Sequence, residues 1–249
     1  MVEEGRQQPC PDCVAWTDPT GAEPYRTGMV SLRMVSANSQ INFANVFWIG
    51  GAPDAAKSTV ANLLSTRHAL AVYQYDQAEL AHLTLLADGP SAYRELMNAT
   101  MDERWVDPEP RELFQRVRSS FYERWPFVLD DLRHFGSQPV IAEGFGLMPD
   151  LVATVAAPNR AVFLVPDEEF KAISVSRRDK PTGRQRTRDP ERARRNVLQR
   201  DAQIALDVRA QAEKHGLLVL EATLERSIED LARTVEQWFR LDDQKSFPG

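Results

Sequence analysis

The residues best suited to chemistry form one short stretch, residues 50–59, with the sequence GGAPDAAKST. It follows an apolar run and matches the phosphate-binding frame G-x-x-x-x-G-K-[ST] at Gly51, Lys57 and Ser58, with Ala56 in the place of the second glycine. In such a loop, backbone N–H groups and the positive end of a helix hold phosphate oxygens. The lysine neutralises the β and γ oxygens, and the serine hydroxyl binds Mg²⁺. The stretch therefore predicts a nucleoside triphosphate site.

Two residues depart from this frame and leave other interpretations open. Ala56 brings a methyl group to a position where the backbone approaches phosphate closely, and Asp54 places a carboxylate near the oxyanions. The stretch is therefore also compatible with a strand-to-helix turn that merely contains Lys57 and Ser58, or with a phosphate site that has decayed.

A second candidate feature is the basic segment 177–200. It holds 10 of the chain's 30 lysines and arginines but only three acidic residues. Arg184, Arg186 and Arg188 alternate in a loop, and arginine pairs bidentately with phosphate oxygens while it stays charged. Two other interpretations remain: a solvated helix face, particularly for residues 191–200, and an RNA-binding loop, against which the lack of interleaved aromatic residues argues.

The elements that position these residues alternate strand-like apolar runs with helical patterns, which is typical of β-α units and a parallel sheet. The predicted strands are 45–49, 71–75, 139–142, 161–165 and 217–220. Helices are predicted at 57–67, 168–178, 190–215 and 227–239, and in a long stretch from 77 to about 135 that breaks near 89–90 and at 107–110.

Two acidic residues stand at the ends of predicted strands. Asp76 ends the run YQYD, and Glu143 follows the apolar run VIA. In open α/β folds ligands bind at the carboxyl ends of the strands. A carboxylate at position 76 can accept the proton of an attacking hydroxyl or hold an acceptor, although Asp76 is also compatible with a helix N-cap, and Glu143 with a plain loop charge.

With these features in this order, residues 41–241 resemble P-loop kinases of small molecules and nucleotides, in particular adenylate-kinase-like proteins, whose loop commonly begins Gly-Gly-x-Pro and ends Gly-Lys-Ser-Thr. The resemblance implies a three-layer α/β/α domain with a five-stranded parallel sheet in the order 2-3-1-4-5. It also implies that Glu143 orients Mg²⁺ together with Ser58, and that a mobile lid, residues 178–195, closes its arginines over the phosphates.

The resemblance further implies that residues 77–136 form a helical cap over the acceptor. Most of the aromatic side chains in this segment are expected in the core. Within it, the sequence DERW makes Arg104 a candidate for binding an acidic group of the acceptor and Trp105 a candidate for a flat or apolar part.

These considerations predict an Mg-ATP-dependent phosphotransferase that acts on an unidentified small molecule, with ATP or GTP and Mg²⁺ as cofactors. The predicted catalytic residues are Lys57, Asp76, Arg184 and Arg188. Nucleotide contacts are predicted at Gly50, Gly51, Ala52, Asp54, Ala55, Ala56, Lys57, Ser58, Thr59, Arg177 and Arg178. Acceptor contacts are predicted at Asp76, Arg104, Trp105 and Glu143, and Mg²⁺ ligands at Ser58 and Glu143. The alternative is a nucleotide-binding protein that has lost catalysis and acts as a ligand-responsive partner.

Composition restricts the partners. The net charge of −6 gives the protein as a whole no electrostatic attraction to nucleic acid or an acidic membrane, so we expect neither as a partner. No apolar run approaches the ~18 residues of a membrane-spanning helix, and the acidic start lacks the pattern of a signal peptide. We therefore expect a cytoplasmic protein.

Residues 1–40 differ from the kinase-like domain that we predict over 41–249. Prolines and glycines interrupt them, and neither helical nor strand periodicity is sustained, which predicts an irregular extension. Cys10 and Cys13 have the spacing of half a zinc site. A shared zinc site, a redox pair and two free thiols all remain open for them.

Overall fold

The computed structural model describes residues 43–176 and 183–242. The predictions for the N-terminal extension, for Cys10 and Cys13, and for Arg177 and Arg178 lie outside these residues. The strands are β1 (Val46–Gly51), β2 (Ala71–Gln74), β3 (Val140–Glu143), β4 (Ala161–Pro166) and β5 (Leu218–Ala222). The α-helices are α1 (Lys57–His68), α2 (Glu79–Leu85), α3 (Ala92–Asn98), α4 (Met101–Trp105), α5 (Pro110–Arg133), α6 (Pro149–Val152), α7 (Glu168–Ser176), α8 (Pro190–Lys214) and α9 (Ile228–Phe239).

The five strands form one parallel sheet in the order β2-β3-β1-β4-β5, which confirms the predicted order. Every residue of β1 and β3 is buried, as expected for central strands of a parallel sheet that helices cover on both faces. The register pairs Glu143 with both Ile49 of β1 and Gln74 of β2. The carboxyl ends of three strands therefore meet at one place on the sheet edge.

Helices pack on both faces of the sheet, so the predicted three-layer α/β/α architecture is confirmed. Side chains of β1 alternate between the two sides, as the pleat requires. Trp48 joins a core cluster that includes residues of α5 and α8, such as Phe121, whereas Phe47 joins a cluster that includes residues of α1 and α9, such as Phe239. Burying an aromatic or aliphatic side chain of this size contributes about 1.5–3 kcal/mol, so these clusters hold β1 firmly under the loop that follows it.

The long helical stretch predicted from 77 onward consists of four helices, α2 to α5, with the two predicted breaks and a third, at residues 99–100, that was not predicted. The helix α4 begins with a capping box between Thr100 and Glu103, and α5 begins with Pro110 in its first turn.

Strand β2 ends one residue earlier than predicted, at Gln74, although the N–H of Tyr75 still donates to the carbonyl of Glu143 at 2.9 Å. Across the described ranges, no helix is long and apolar enough to span a bilayer.

Candidate functional site

The loop between β1 and α1 leaves the sheet through a glycine that the packing requires. Gly51 has a φ of +123°, and a Cβ there would lie 2.0 Å from the carbonyl oxygen of Leu164 in β4. The next N–H, of Ala52, donates to that same carbonyl at 2.9 Å. Only a residue without a side chain lets β1 approach β4 this closely before the chain turns. The first glycine of the phosphate-binding frame therefore has a structural role here.

Ala56, which replaces the second glycine of the frame, adopts the conformation that favours glycine. Its φ is +62° and its ψ is 18°, in the left-handed region, directly before the first residue of α1. Asp54 is also left-handed, with a φ of +63°. An L-residue in this region costs about 1–2 kcal/mol relative to its right-handed form. The loop thus keeps a glycine-like backbone at Ala56 despite the extra methyl group.

We expect Ala56→Gly to raise the free energy of unfolding by about 1 kcal/mol, because glycine removes the left-handed strain but adds entropy to the unfolded chain. It should also tighten nucleotide binding, because it removes the methyl group of Ala56 from the place where the loop backbone approaches phosphate. Ala69→Gly is the matched control: Ala69 is left-handed too, with a φ of +51° at the other end of α1. Denaturant unfolding should show stabilisation of both variants, and titration should show tighter binding of the first alone. Equal affinities for Ala56→Gly and the wild type would contradict crowding by the methyl group.

Lys57 begins α1 and its side chain lies inside the loop. Its Nζ donates to the carbonyl of Ala52 at 2.6 Å, and the residue is only 8% exposed. Burial lowers the pKa of the Lys57 ammonium, while the carboxylates of Asp76, Glu143 and Asp54 act in the opposite direction. A desolvated cation is well placed to bind a multiply charged anion, because the anion restores the interactions that burial removed.

Ser58 and Glu143 form the group of oxygen atoms that suits Mg²⁺. The Ser58 hydroxyl lies 3.1 Å from each carboxylate oxygen of Glu143, which reaches it from the end of β3. Burial raises the pKa of the Glu143 carboxyl, and the nearby Lys57 opposes that rise. Hydroxyl and carboxylate oxygens are hard ligands of the kind that Mg²⁺ prefers, usually with several water molecules. These two residues therefore fit the metal that accompanies a nucleotide.

A cavity of about 400 Å³ brings the predicted residues together at the carboxyl ends of β1, β2 and β3. It is lined by Pro53, Asp54, Ala55, Ala56, Lys57, Ser58, Thr59, Asp76, Glu143, Phe145 and Arg200. Asp76 is exposed on its wall. The cavity thus joins a phosphate-binding loop, a candidate metal site and an accessible carboxylate, which together could bind a nucleotide and activate a hydroxyl group.

A buried arginine that the sequence interpretation missed fixes the chain next to Asp76. Arg124 of α5 is 2% exposed, donates from Nη2 to the carbonyl of Tyr75 at 2.7 Å, and stacks 3.7 Å from the centre of the Tyr75 ring. Its Nε donates to Nδ1 of His82 at 3.2 Å. Tyr75 directly precedes Asp76. Its contacts with Arg124 therefore fix the backbone from which the side chain of Asp76, the candidate base, extends.

The sequence interpretation also missed Lys171, the partner of the unusual loop carboxylate. Nζ of Lys171, in α7, donates at 2.6 Å to Oδ2 of Asp54 and at 2.6 Å to Oδ2 of Asp201 in α8. Asp201 in turn accepts hydrogen bonds from the guanidinium of Arg200. A lysine in a helical pattern carries no sign of such pairing, since 117 residues separate it from Asp54.

Within the described part of the predicted lid, residues 183–195, Arg184 and Arg188 lie in two different places. Arg184 lines a second cavity of about 330 Å³, together with Arg194 and Arg200, beside the phosphate loop. Arg188 instead faces the cap. Its backbone N–H donates to Oδ1 of Asp102 at 2.8 Å, and its guanidinium pairs with Asp107. Arg188, predicted as catalytic, therefore lies against the cap and outside the lining of both cavities.

Neither predicted acceptor contact in the cap lines the phosphate cavity. Arg104 donates from Nη2 to the carbonyl of Met97 at 2.7 Å, which ties α3 to α4. Trp105 lies under the Arg200 guanidinium, 5.5 Å from its ring centre, and its carbonyl accepts from the amide of Asn196. Arg104 thus holds two helices of residues 77–136 together, and Trp105 connects these residues with α8.

The position of the loop and the order of the strands together decide the fold. The glycine-containing loop follows the central strand β1 and opens α1, and Lys57 lines one cavity with residues that follow or end β2 and β3 in a sheet of order 2-3-1-4-5. The chain has a P-loop kinase-like fold. This fold accounts for the meeting of Ser58 and Glu143 at one edge, because parallel strands place all their carboxyl ends together.

Three solved structures that are similar to the chain are kinases by name, and another is an uncharacterised protein from Eubacterium ventriosum. A sugar kinase from a Janibacter species is 14% identical over 82% of this chain and 99% of that one, with a TM-score of 0.48. The shikimate kinase from Acinetobacter baumannii, in complex with shikimate, is 14% identical over 83% and 97%, with a TM-score of 0.44. Thymidylate kinase from Candida albicans is 12% identical over 81% and 92%, with a TM-score of 0.43. No family model matches the sequence, and no curated protein matches it significantly.

Proposed function

We propose that the protein is a phosphotransferase that moves the γ-phosphoryl group of a nucleoside triphosphate to a hydroxyl group of a small molecule. One observation carries the proposal: a single cavity contains Lys57, Ser58, Glu143 and Asp76. These are a cation for phosphates, two oxygen ligands for Mg²⁺, and a carboxylate that accepts a proton. A site that only bound nucleotide would need no accessible carboxylate facing the phosphate loop.

In this proposal the triphosphate lies along the loop at the positive end of α1, where backbone N–H groups point toward it. Lys57 binds the terminal phosphates, and Arg200 faces them from α8 across the cavity. Ser58 and Glu143 would hold Mg²⁺, which supplies positive charge next to the phosphate oxygens. Lys57 and Arg200 would stabilise the negative charge that spreads over the transferring phosphoryl group.

Asp76 would receive the acceptor on the open side of the cavity. It would take the hydroxyl proton as the oxygen attacks, while Arg124 holds the preceding residue in place through the Tyr75 carbonyl. Phe145 lines the same cavity and offers an apolar surface for the carbon skeleton of the acceptor. The acceptor itself is a small hydroxyl-bearing molecule in this proposal.

A second candidate function is a nucleotide-responsive binding protein without transfer activity. The observation that favours it is the loop itself, in which the left-handed position is occupied by Ala56 and a carboxylate, Asp54, lines the phosphate cavity. Both functions require Mg-nucleotide binding, but only the first requires Asp76.

Thermal unfolding with nucleotides tests the shared step first. We expect Mg-ATP or Mg-GTP to raise the melting temperature, because a ligand at about 100 times its Kd stabilises the folded state by about 2.7 kcal/mol. Omission of Mg²⁺ should reduce the shift. ATP consumption with a panel of hydroxyl-bearing metabolites then tests transfer. No shift with any nucleotide would refute both functions, whereas a large shift without phosphorylation of any acceptor would favour the binding protein.

A further inference from the structure

Four charged side chains form a buried cluster between the phosphate loop, α7 and α8. Lys171 bridges Asp54 and Asp201 with distances of 2.6 Å to each, and Asp201 also holds Arg200 through Nε at 2.8 Å. The four side chains are 14%, 5%, 6% and 9% exposed, in the order Lys171, Asp54, Asp201 and Arg200. Buried charges are retained when each has a partner, and here each carboxylate is paired with at least one cation.

This balance matters because the cluster borders the phosphate cavity. Asp54 and Arg200 both line that cavity. A lone carboxylate there would repel the phosphates, since Coulomb interactions are strong where water is scarce. The Lys171 ammonium cancels the charge of Asp54 and also donates to the carbonyl of Pro53 at 3.4 Å, so it fixes the loop backbone as well.

The same lysine connects the phosphate loop with α8. Asp201 lies one residue after Arg200 in α8, and it accepts from both Nε and Nη2 of that arginine, which fixes the plane of the guanidinium. Lys171 binds the other oxygen of Asp201. The position of the Arg200 guanidinium at the cavity therefore depends on a salt bridge that begins in α7.

We propose that Lys171 is a positioning residue of the phosphate site, which compensates the charge of Asp54 and, through Asp201, keeps Arg200 directed toward the phosphates. The proposal rests on the phosphotransferase function proposed above in one respect: it takes the anion that binds to be a nucleotide. It explains why a loop with a carboxylate at position 54 can still bind an anion: the compensating charge comes from α7.

The test compares Lys171→Met, Asp54→Asn and the double variant, with Lys171→Arg as the variant that keeps the charge. Lys214→Met is the matched control, because Lys214 is an exposed lysine at the far end of α8. The probes are Mg-ATP and inorganic triphosphate, and binding is measured by calorimetric titration. Melting temperatures without ligand show that each variant is folded.

We expect Lys171→Met to weaken both probes by about 10-fold or more, because Asp54 and Asp201 lose the ammonium group that bridges them beside the phosphate cavity. The double variant should regain the part of this loss that comes from the charge of Asp54, and Lys171→Arg and Lys214→Met should bind nearly as the wild type does. A lysine with a merely structural role would not be rescued by Asp54→Asn. Wild-type affinity in Lys171→Met, or a double variant as weak as Lys171→Met, would overturn the proposal. Failure of the wild type itself to bind either probe would refute the proposed function instead, and this inference with it.

Discussion

Replacement of Lys57 by methionine is expected to remove most of the nucleotide-induced rise in melting temperature and to weaken binding by about 10²-fold, because a hydrogen bond between charged groups contributes roughly 1.5–3 kcal/mol. The same change should leave the melting temperature of the free protein equal or higher. Burial lowers the pKa of the Lys57 ammonium more than the surrounding carboxylates raise it, so the folded state holds this charge at a cost. Methionine of similar length carries no such cost.

Differential scanning calorimetry with and without Mg-ATP measures both effects on one sample. The nucleotide-induced rise should disappear while the melting temperature of the free protein does not fall, which separates loss of a binding group from general destabilisation. A melting temperature several degrees lower in the free variant would contradict the inferred balance between burial and the carboxylates. An undiminished nucleotide shift would remove Lys57 from the phosphate site.

Asp76→Asn is expected to lower the turnover rate by about 10² or more once an acceptor is known, while nucleotide affinity changes by no more than a few-fold. Asparagine keeps the size and much of the hydrogen bonding of aspartate but cannot accept the hydroxyl proton. Asp76 lies on the wall of the cavity, beyond the end of β2, so its charge should matter more for transfer than for binding of the triphosphate.

Asp88→Asn is the matched control for this variant, since Asp88 is an exposed carboxylate in the loop between α2 and α3. Single-turnover rates and ATP titrations of both variants separate the transfer step from binding. A rate for Asp76→Asn equal to that of the control would exclude Asp76 as the base. Parallel losses of rate and affinity would make Asp76 a structural residue of the β2 end.

The features that follow from local pattern were predictable from the sequence. The apolar runs around 45–49 and 139–142 predicted buried strands, and residues 50–59 predicted the loop that joins β1 to α1. The order of the strands came from the resemblance to P-loop kinases and is confirmed. Because the register of a parallel sheet brings the strand ends together, the meeting of Ser58 and Glu143 followed from that order.

The features that depend on pairing across the chain were not predictable. Lys171 and Asp54 are 117 residues apart, and Arg124 lies 49 residues from Tyr75, so no spacing rule connects them. Arg188 is a case in which a local pattern suggested the wrong role. The alternation of arginines in a basic loop predicted phosphate binding, but the partners of Arg188 are Asp102 and Asp107. Tertiary contacts decide which of several similar charges face the ligand.

The contact of Arg188 with Asp102 and Asp107 should depend on the salt concentration at which the protein is crystallised. All three side chains are substantially exposed, at 58%, 33% and 42% in that order, so dissolved ions reach the pairs freely. The Debye length falls from about 8 Å at physiological ionic strength to about 3 Å at 1 M salt. Crystals from concentrated salt should therefore favour separation of the lid from the cap, and crystals from polymer at low ionic strength should favour their contact.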